Sequence, residues 1–195
     1  MMDDDYYSPS PRWALARPIV LAGPVGSGLR TVARTLSART GLPYVDIDRR
    51  VEHETGASLA ELARRVGVKR VQTAAREVLE RVALERPAAV VALDRAWPTR
   101  QAAHLFDRRM ELVHVRRSSE WRAGNAEKEL IAAAWLQECE PELRAAEDER
   151  PGWDVMRDPL LQRARILLEA EDRHAHEIVE ILMESLEPVV GAKAL

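Results

Sequence analysis

Cysteine and lysine are nearly missing from this chain of 195 residues. Cys139 is its single cysteine, which excludes an internal disulfide and a cysteine-ligated metal cluster. Lys69, Lys128 and Lys193 are the only lysines, so arginine carries almost all of the positive charge. High arginine together with high alanine is what GC-rich coding produces, and arginine content alone therefore carries no functional signal. An excess of one sign of charge is also lacking. The formal net charge of −3 gives no ground for nucleic acid or an acidic membrane as partners. No run approaches the ~18 apolar residues of a membrane span. The acidic opening Met1-Met2-Asp3-Asp4-Asp5 has no apolar stretch of signal-peptide type, and the expected location is the cytoplasm. Internal repeats and low-complexity tracts are absent.

What is present is an ordinary globular composition, 46% hydrophobic and 31% charged, long enough for one α/β domain with appendages. Residues 1–16 read as a polar tail with a turn-prone Ser8-Pro9-Ser10-Pro11. Four short apolar runs, Ile19–Ala22, Tyr44–Ile47, Ala89–Leu93 and Leu112–Val115, predict strands. They are continuous rather than alternating, as in parallel strands covered on both faces. Helical patterns near 31–40, 58–65, 70–85 and 99–108 lie between them, and such crossovers are right-handed. The spacing thus predicts a core domain over 17–125. Residues 126–195 read as a helical segment, with helices near 126–148 and 159–187 and a break at Arg150-Pro151-Gly152. Leu160, Ala164, Leu167, Leu168, Ala175, Ile178, Val179, Leu182 and Leu186 trace its apolar stripe. That stripe is expected to pack on the domain, on a protein partner or on a second copy.

The first predicted strand runs into Gly23-Pro24-Val25-Gly26-Ser27-Gly28-Leu29-Arg30-Thr31 and then a helix. Strand, glycine-rich turn and helix form the setting of a phosphate-binding P-loop, whose backbone N–H groups close around phosphate at the positive end of the helix. Gly23, Gly26, Ser27, Gly28, Arg30 and Thr31 are the candidate nucleotide-binding residues. A working loop adds a Lys for the β- and γ-phosphates and a Ser or Thr for Mg²⁺. Leu29 and Arg30 stand in those two places.

From about Pro18 to Asn125 the chain resembles the shikimate kinases. The resemblance rests on the glycine loop, on Gly41-Leu42-Pro43-Tyr44-Val45-Asp46-Ile47-Asp48, and on Val51-Glu52-His53-Glu54-Thr55-Gly56-Ala57-Ser58-Leu59-Ala60-Glu61-Leu62 followed by Gly67. It implies a three-layer P-loop fold of the nucleoside-monophosphate-kinase type, with a central parallel sheet, a mobile lid and ATP as cofactor. It also implies that Asp48 holds the acceptor hydroxyl and serves as base, and that Asp46 helps order Mg²⁺.

Several positions depart from the family pattern. Leu29 cannot return a hydrogen bond to phosphate oxygens that it desolvates. Arg30 brings a guanidinium to the usual Mg²⁺ position; at ~4 Å and an effective dielectric near 20, each unit-charge pair repels by roughly 4 kcal/mol. Thr31 comes one residue late for the metal. An alternative has Arg30 supplying the missing positive charge directly to phosphate. On the acceptor side, the family's carboxylate-gripping Arg is replaced by Gln72, which loses a bidentate charged contact. The family's three glycines after the third strand correspond to Leu93-Asp94-Arg95, so Arg95 joins Gln72 and Asp48 as acceptor-side candidates. Arg157-Asp158-Pro159-Leu160-Leu161 is a loose echo of the lid motif. Mg²⁺ is therefore doubtful, and shikimate is not the expected substrate.

Other residues stay open between roles. Asp46 and Asp48 end a strand and suit helix capping as well as a polar site. Asp94 suits a Mg²⁺ ligand or a turn residue paired with Arg95. His174 and His176 lie two apart on a predicted helix and do not share a face. His53, His104 and His114 have no metal spacing around them. Trp97, Trp121, Trp135 and Trp153 read as packing residues, and Arg116-Arg117 follow a strand end where α/β ligands bind. Two functions follow: an inactive kinase relative kept as a binding, regulatory or scaffolding module, or a divergent ATP-dependent kinase for a hydroxylated, non-shikimate acceptor. A third is a loop that holds a lone anion or a metal-free nucleotide.

Overall fold

The computed structural model describes residues 13–23, 27–85, 88–94, 100–116, 161–171, 173–190 and 193–194. Five strands form one sheet: β2 (Ile19–Ala22), β3 (Tyr44–Asp46), β4 (Val90–Leu93), β5 (Glu111–Arg116) and β6 (Ile166–Glu169). Their order is β3-β4-β2-β5-β6 and every pairing is parallel. The central strands β2 and β4 are buried at every position, which is why they read as unbroken apolar runs. Two further strands, β1 (Trp13–Ala14) and β7 (Lys193–Ala194), pair antiparallel with each other. Trp13 and Ala14 belong to the stretch expected to be a polar tail.

Helices cover both faces. On one face α1 (Leu29–Thr40) and the last helix, α6 (Ala175–Val190), pack against each other and the sheet. Leu21, Val32, Leu36, Val113, Ile178 and Leu182 share that core. The opposite face carries α2 (Ile47–Thr55), α3 (Leu59–Val66), α4 (Val68–Glu85) and α5 (Ala103–Arg108), the last entered through a single 3-10 turn at Arg100–Ala102. Val20, Val51, Leu59, Leu79, Val91 and Phe106 lie in that second core. The result is the expected three-layer α/β architecture around a parallel sheet.

Two expectations are corrected. Ile166–Glu169 is a strand and not part of a helix over 159–187. As an edge strand it alternates, with Ile166 and Leu168 inward and Leu167 52% exposed. Ile-Leu-Leu bounded by charged residues is too short a run for periodicity to separate strand from helix. Helix α2 was not anticipated from periodicity either, because it starts on the residue after β3 with no intervening loop. In α6, Ile178, Val179, Leu182 and Leu186 are buried within the chain. The expected helix near 126–148 and the boundary at 125/126 lie outside the described residues.

Candidate functional site at the carboxyl end of the sheet

The glycine loop leaves β2 at the carboxyl end of the sheet, where ligands of open α/β folds bind. Gly23 packs so closely on β5 that a Cβ there would lie 2.3 Å from the Val115 carbonyl oxygen. Gly28 caps α1 in the left-handed region, at φ 74°, and its carbonyl accepts from the backbone N–H of Thr31 (2.9 Å) and Val32 (3.2 Å). Gly28 thus turns the chain directly into α1, and Ser27 before it is buried. Pro24, Val25 and Gly26 lie outside the described residues.

The two substituted positions point in different directions. Leu29 is 2% exposed and belongs to the core formed with Val32, Ala33 and Leu36. Its side chain is committed to the interior rather than to the loop's ligand face. Arg30 reaches the opposite way, across the ends of β3 and β4. Its Nη2 donates a short hydrogen bond to Oδ2 of Asp48. Its Nε lies 3.5 Å from Oδ2 of Asp46 and 3.3 Å from Oδ2 of Asp94. Thr31 is exposed, and its backbone carbonyl accepts from the Thr35 hydroxyl at 2.9 Å.

Each carboxylate arrives from a different element. Asp46 ends β3 and caps α2, accepting from the Arg49 backbone N–H at 3.2 Å. The same side chain accepts from the Tyr44 hydroxyl at 3.2 Å. Asp48 sits in the first turn of α2 with 0% exposure, and Asp94 follows β4. Capping and a polar-site role thus coexist at Asp46. Charges this close attract by about 5 kcal/mol per pair at an effective dielectric near 20, before the cost of burying them is subtracted. Burial works to lower the pKa of the Arg30 guanidinium, but Asp48, Asp94 and Asp46 outweigh it and raise it above its ordinary value.

Asp94 is therefore bound to Arg30, whereas Arg95, its expected partner and an acceptor-side candidate, lies outside the described residues. Gln72 is half-buried on α4 and takes no part in the Arg30 cluster. Tyr44 was not anticipated. Its spacing of two from Asp46 on a strand, which puts both on one face, was the available signal. Burial first, and Asp46 next, push its hydroxyl up to about 12. The Arg34 guanidinium lies 5.5 Å from the Tyr44 ring centroid.

His114, on β5 opposite Ala22, is fully buried, and neither ring nitrogen has a hydrogen-bond partner among the described residues. Burial, with a smaller push from Arg116, brings it down to about 4, so it is neutral near pH 7. His174 precedes α6 instead of lying in it, and its ring stacks on His176 at 5.8 Å, so these two do meet. Among the described residues, no group of three or more His, Cys, Asp and Glu side chains is arranged to hold a metal ion. Asp46 and Asp94, the two expected Mg²⁺ ligands, already face a guanidinium, which only donates. The four tryptophans named above and the lid echo through Leu160 are not among the described residues.

Comparison with known proteins agrees with this fold. The shikimate kinase family model matches residues 25–187. A shikimate kinase of Paramagnetospirillum magneticum is 28% identical over 174 residues, covering 88% of this chain and 85% of that protein. Among solved structures, the shikimate kinase from Acinetobacter baumannii in complex with shikimate superposes with a TM-score of 0.71 at 21% identity, over 88% of this chain and 93% of that one. The Aquifex aeolicus shikimate kinase gives 0.63, also at 21% identity, over 88% and 96%. The family match reaches well beyond the stretch whose motifs carry the resemblance in sequence, and takes in β6 and most of α6.

Proposed function

The chain belongs to the shikimate kinase family, and we propose that within it this member has lost phosphoryl transfer from MgATP and serves as a binding, regulatory or scaffolding module. The observation that carries the reading is the burial of Leu29, 2% exposed in the core under α1, at the position of the loop lysine. Phosphoryl transfer depends almost entirely on positioning and on neutralising charge at the β- and γ-phosphates. A buried isobutyl group does neither. Arg30 does not stand in for the lysine, because its guanidinium faces Asp46, Asp48 and Asp94. The same contacts tie up Asp48, the residue that the family pattern makes the acceptor-side base.

An assay of ADP release with MgATP and shikimate tests the proposal. The native chain is expected to stay at the no-enzyme rate over hours at micromolar protein. Turnover that depends on shikimate, or on another hydroxylated acceptor, would overturn it. The double variant Leu29→Lys with Arg30→Ser returns the two side-chain types the loop lacks, and its ADP release is compared with the native chain once circular dichroism shows that it folds.

A further inference from the structure

We infer that Arg30 is a permanently tethered counter-cation that takes the place of a divalent metal ion, so that this family member holds its aspartate triad closed without metal. The inference deepens the reading above and rests on the same loop. It is carried by the convergence of Asp46 from the end of β3, Asp94 from the end of β4 and Asp48 from α2 on one guanidinium supplied by α1. Buried carboxylates need a cation, and a protein can supply it from a bound ion or from its own chain. Here the residue at the loop's metal-ligand position supplies it. A planar guanidinium faces several carboxylates at once, with Nη2 hydrogen-bonded to Asp48 and Nε within ion-pair distance of Asp46 and Asp94, and unlike a metal ion it cannot be exchanged or removed. The Asp48 carboxylate has 0% exposure and Asp46 is buried, so these two acids are set behind the arginine, with Asp94 partly exposed beside it. A hydrated Mg²⁺ ion, which demands near-octahedral oxygen ligands, has to displace the guanidinium to reach them.

Removing the arginine should uncover a cation site. Mn²⁺ titration, read by electron paramagnetic resonance, is the test. The native chain should show no specific site up to millimolar Mn²⁺. Arg30→Ser, and separately Arg30→Gln, should bind at least tenfold tighter, with the gain abolished by adding Asp46→Asn. Native binding that Asp46→Asn removes would overturn the inference, as would a folded Arg30→Ser that binds no tighter than the native chain. Should neither Arg30 variant fold, the Nε–H resonance of Arg30 in the ¹⁵N-labelled native chain decides. It should neither shift with Mg²⁺ nor broaden selectively with Mn²⁺, and a selective change would sink the idea. Phosphoryl transfer by the native chain would overturn the functional reading alone and leave these metal experiments to stand by themselves.

Discussion

Arg30 Nη2 donates to Oδ2 of Asp48, an aspartate with no solvent exposure, eighteen residues further along the chain. The contact joins the first turn of α1 to the first turn of α2 across the carboxyl end of the sheet, whose opposite faces those helices cover. Arg30→Ala should therefore destabilise the fold by about 2–4 kcal/mol, since it strands a buried carboxylate beside two others. Chemical denaturation of the single variant, Asp48→Asn and the double variant checks this. The double variant should be more stable than Arg30→Ala alone, because the stranded charge is gone.

His114 gives the fold an acid limit. Its folded value of about 4 lies below the ordinary 6.5, so between those values the unfolded chain binds the extra proton. Its stability contribution is complete above about pH 6.5 and is lost as pH falls toward 4, amounting to about 3 kcal/mol over that window. Denaturation midpoints measured between pH 4 and 8 should follow this slope. His114→Leu should flatten it without loss of stability at pH 7, because an apolar side chain of similar volume has no nitrogens to leave unpaired.

Tyr44 reports on the other edge of the site. The phenol should ionise only as pH approaches about 12 in an ultraviolet titration. Asp46→Asn should bring it part of the way back toward 10. Burial, the larger cause, remains. A folded value above the ordinary one means that this group adds stability below pH 10 and loses it between 10 and 12.

At Gly23 the prediction is steric. The new methyl of Gly23→Ala would sit 2.3 Å from a backbone carbonyl oxygen that has no rotamer to escape into. Overpacking of this kind costs about 1–3 kcal/mol. A thermal melt should show the loss, and the loop should shift away from β5.

Much of this fold is legible in the sequence because its central strands are buried on both faces. Ile19–Ala22 and Val90–Leu93 read as strands for that reason alone. Ile166–Glu169 does not, since an edge strand of one apolar triplet resembles a turn of helix. The site was legible in its parts. Asp46, Asp48 and Asp94 stand out as acids at strand ends, and Leu29 and Arg30 as misfits in a glycine loop. Their relationship was not, because pairing between α1, α2 and the ends of two strands leaves no local spacing to read. Sequence left Asp94 between a metal ligand and a partner for Arg95; the fold brings it to Arg30. His114 was invisible for a related reason: an isolated histidine in an apolar run says nothing about whether its nitrogens find partners.

The most direct test of the loss of nucleotide chemistry is calorimetric titration of the native chain with ATP, with and without Mg²⁺. The buried Leu29 and the engaged Arg30 predict no Mg²⁺-dependent binding up to millimolar ATP. Stoichiometric micromolar binding that requires Mg²⁺ would contradict the account and return this chain to the working kinases.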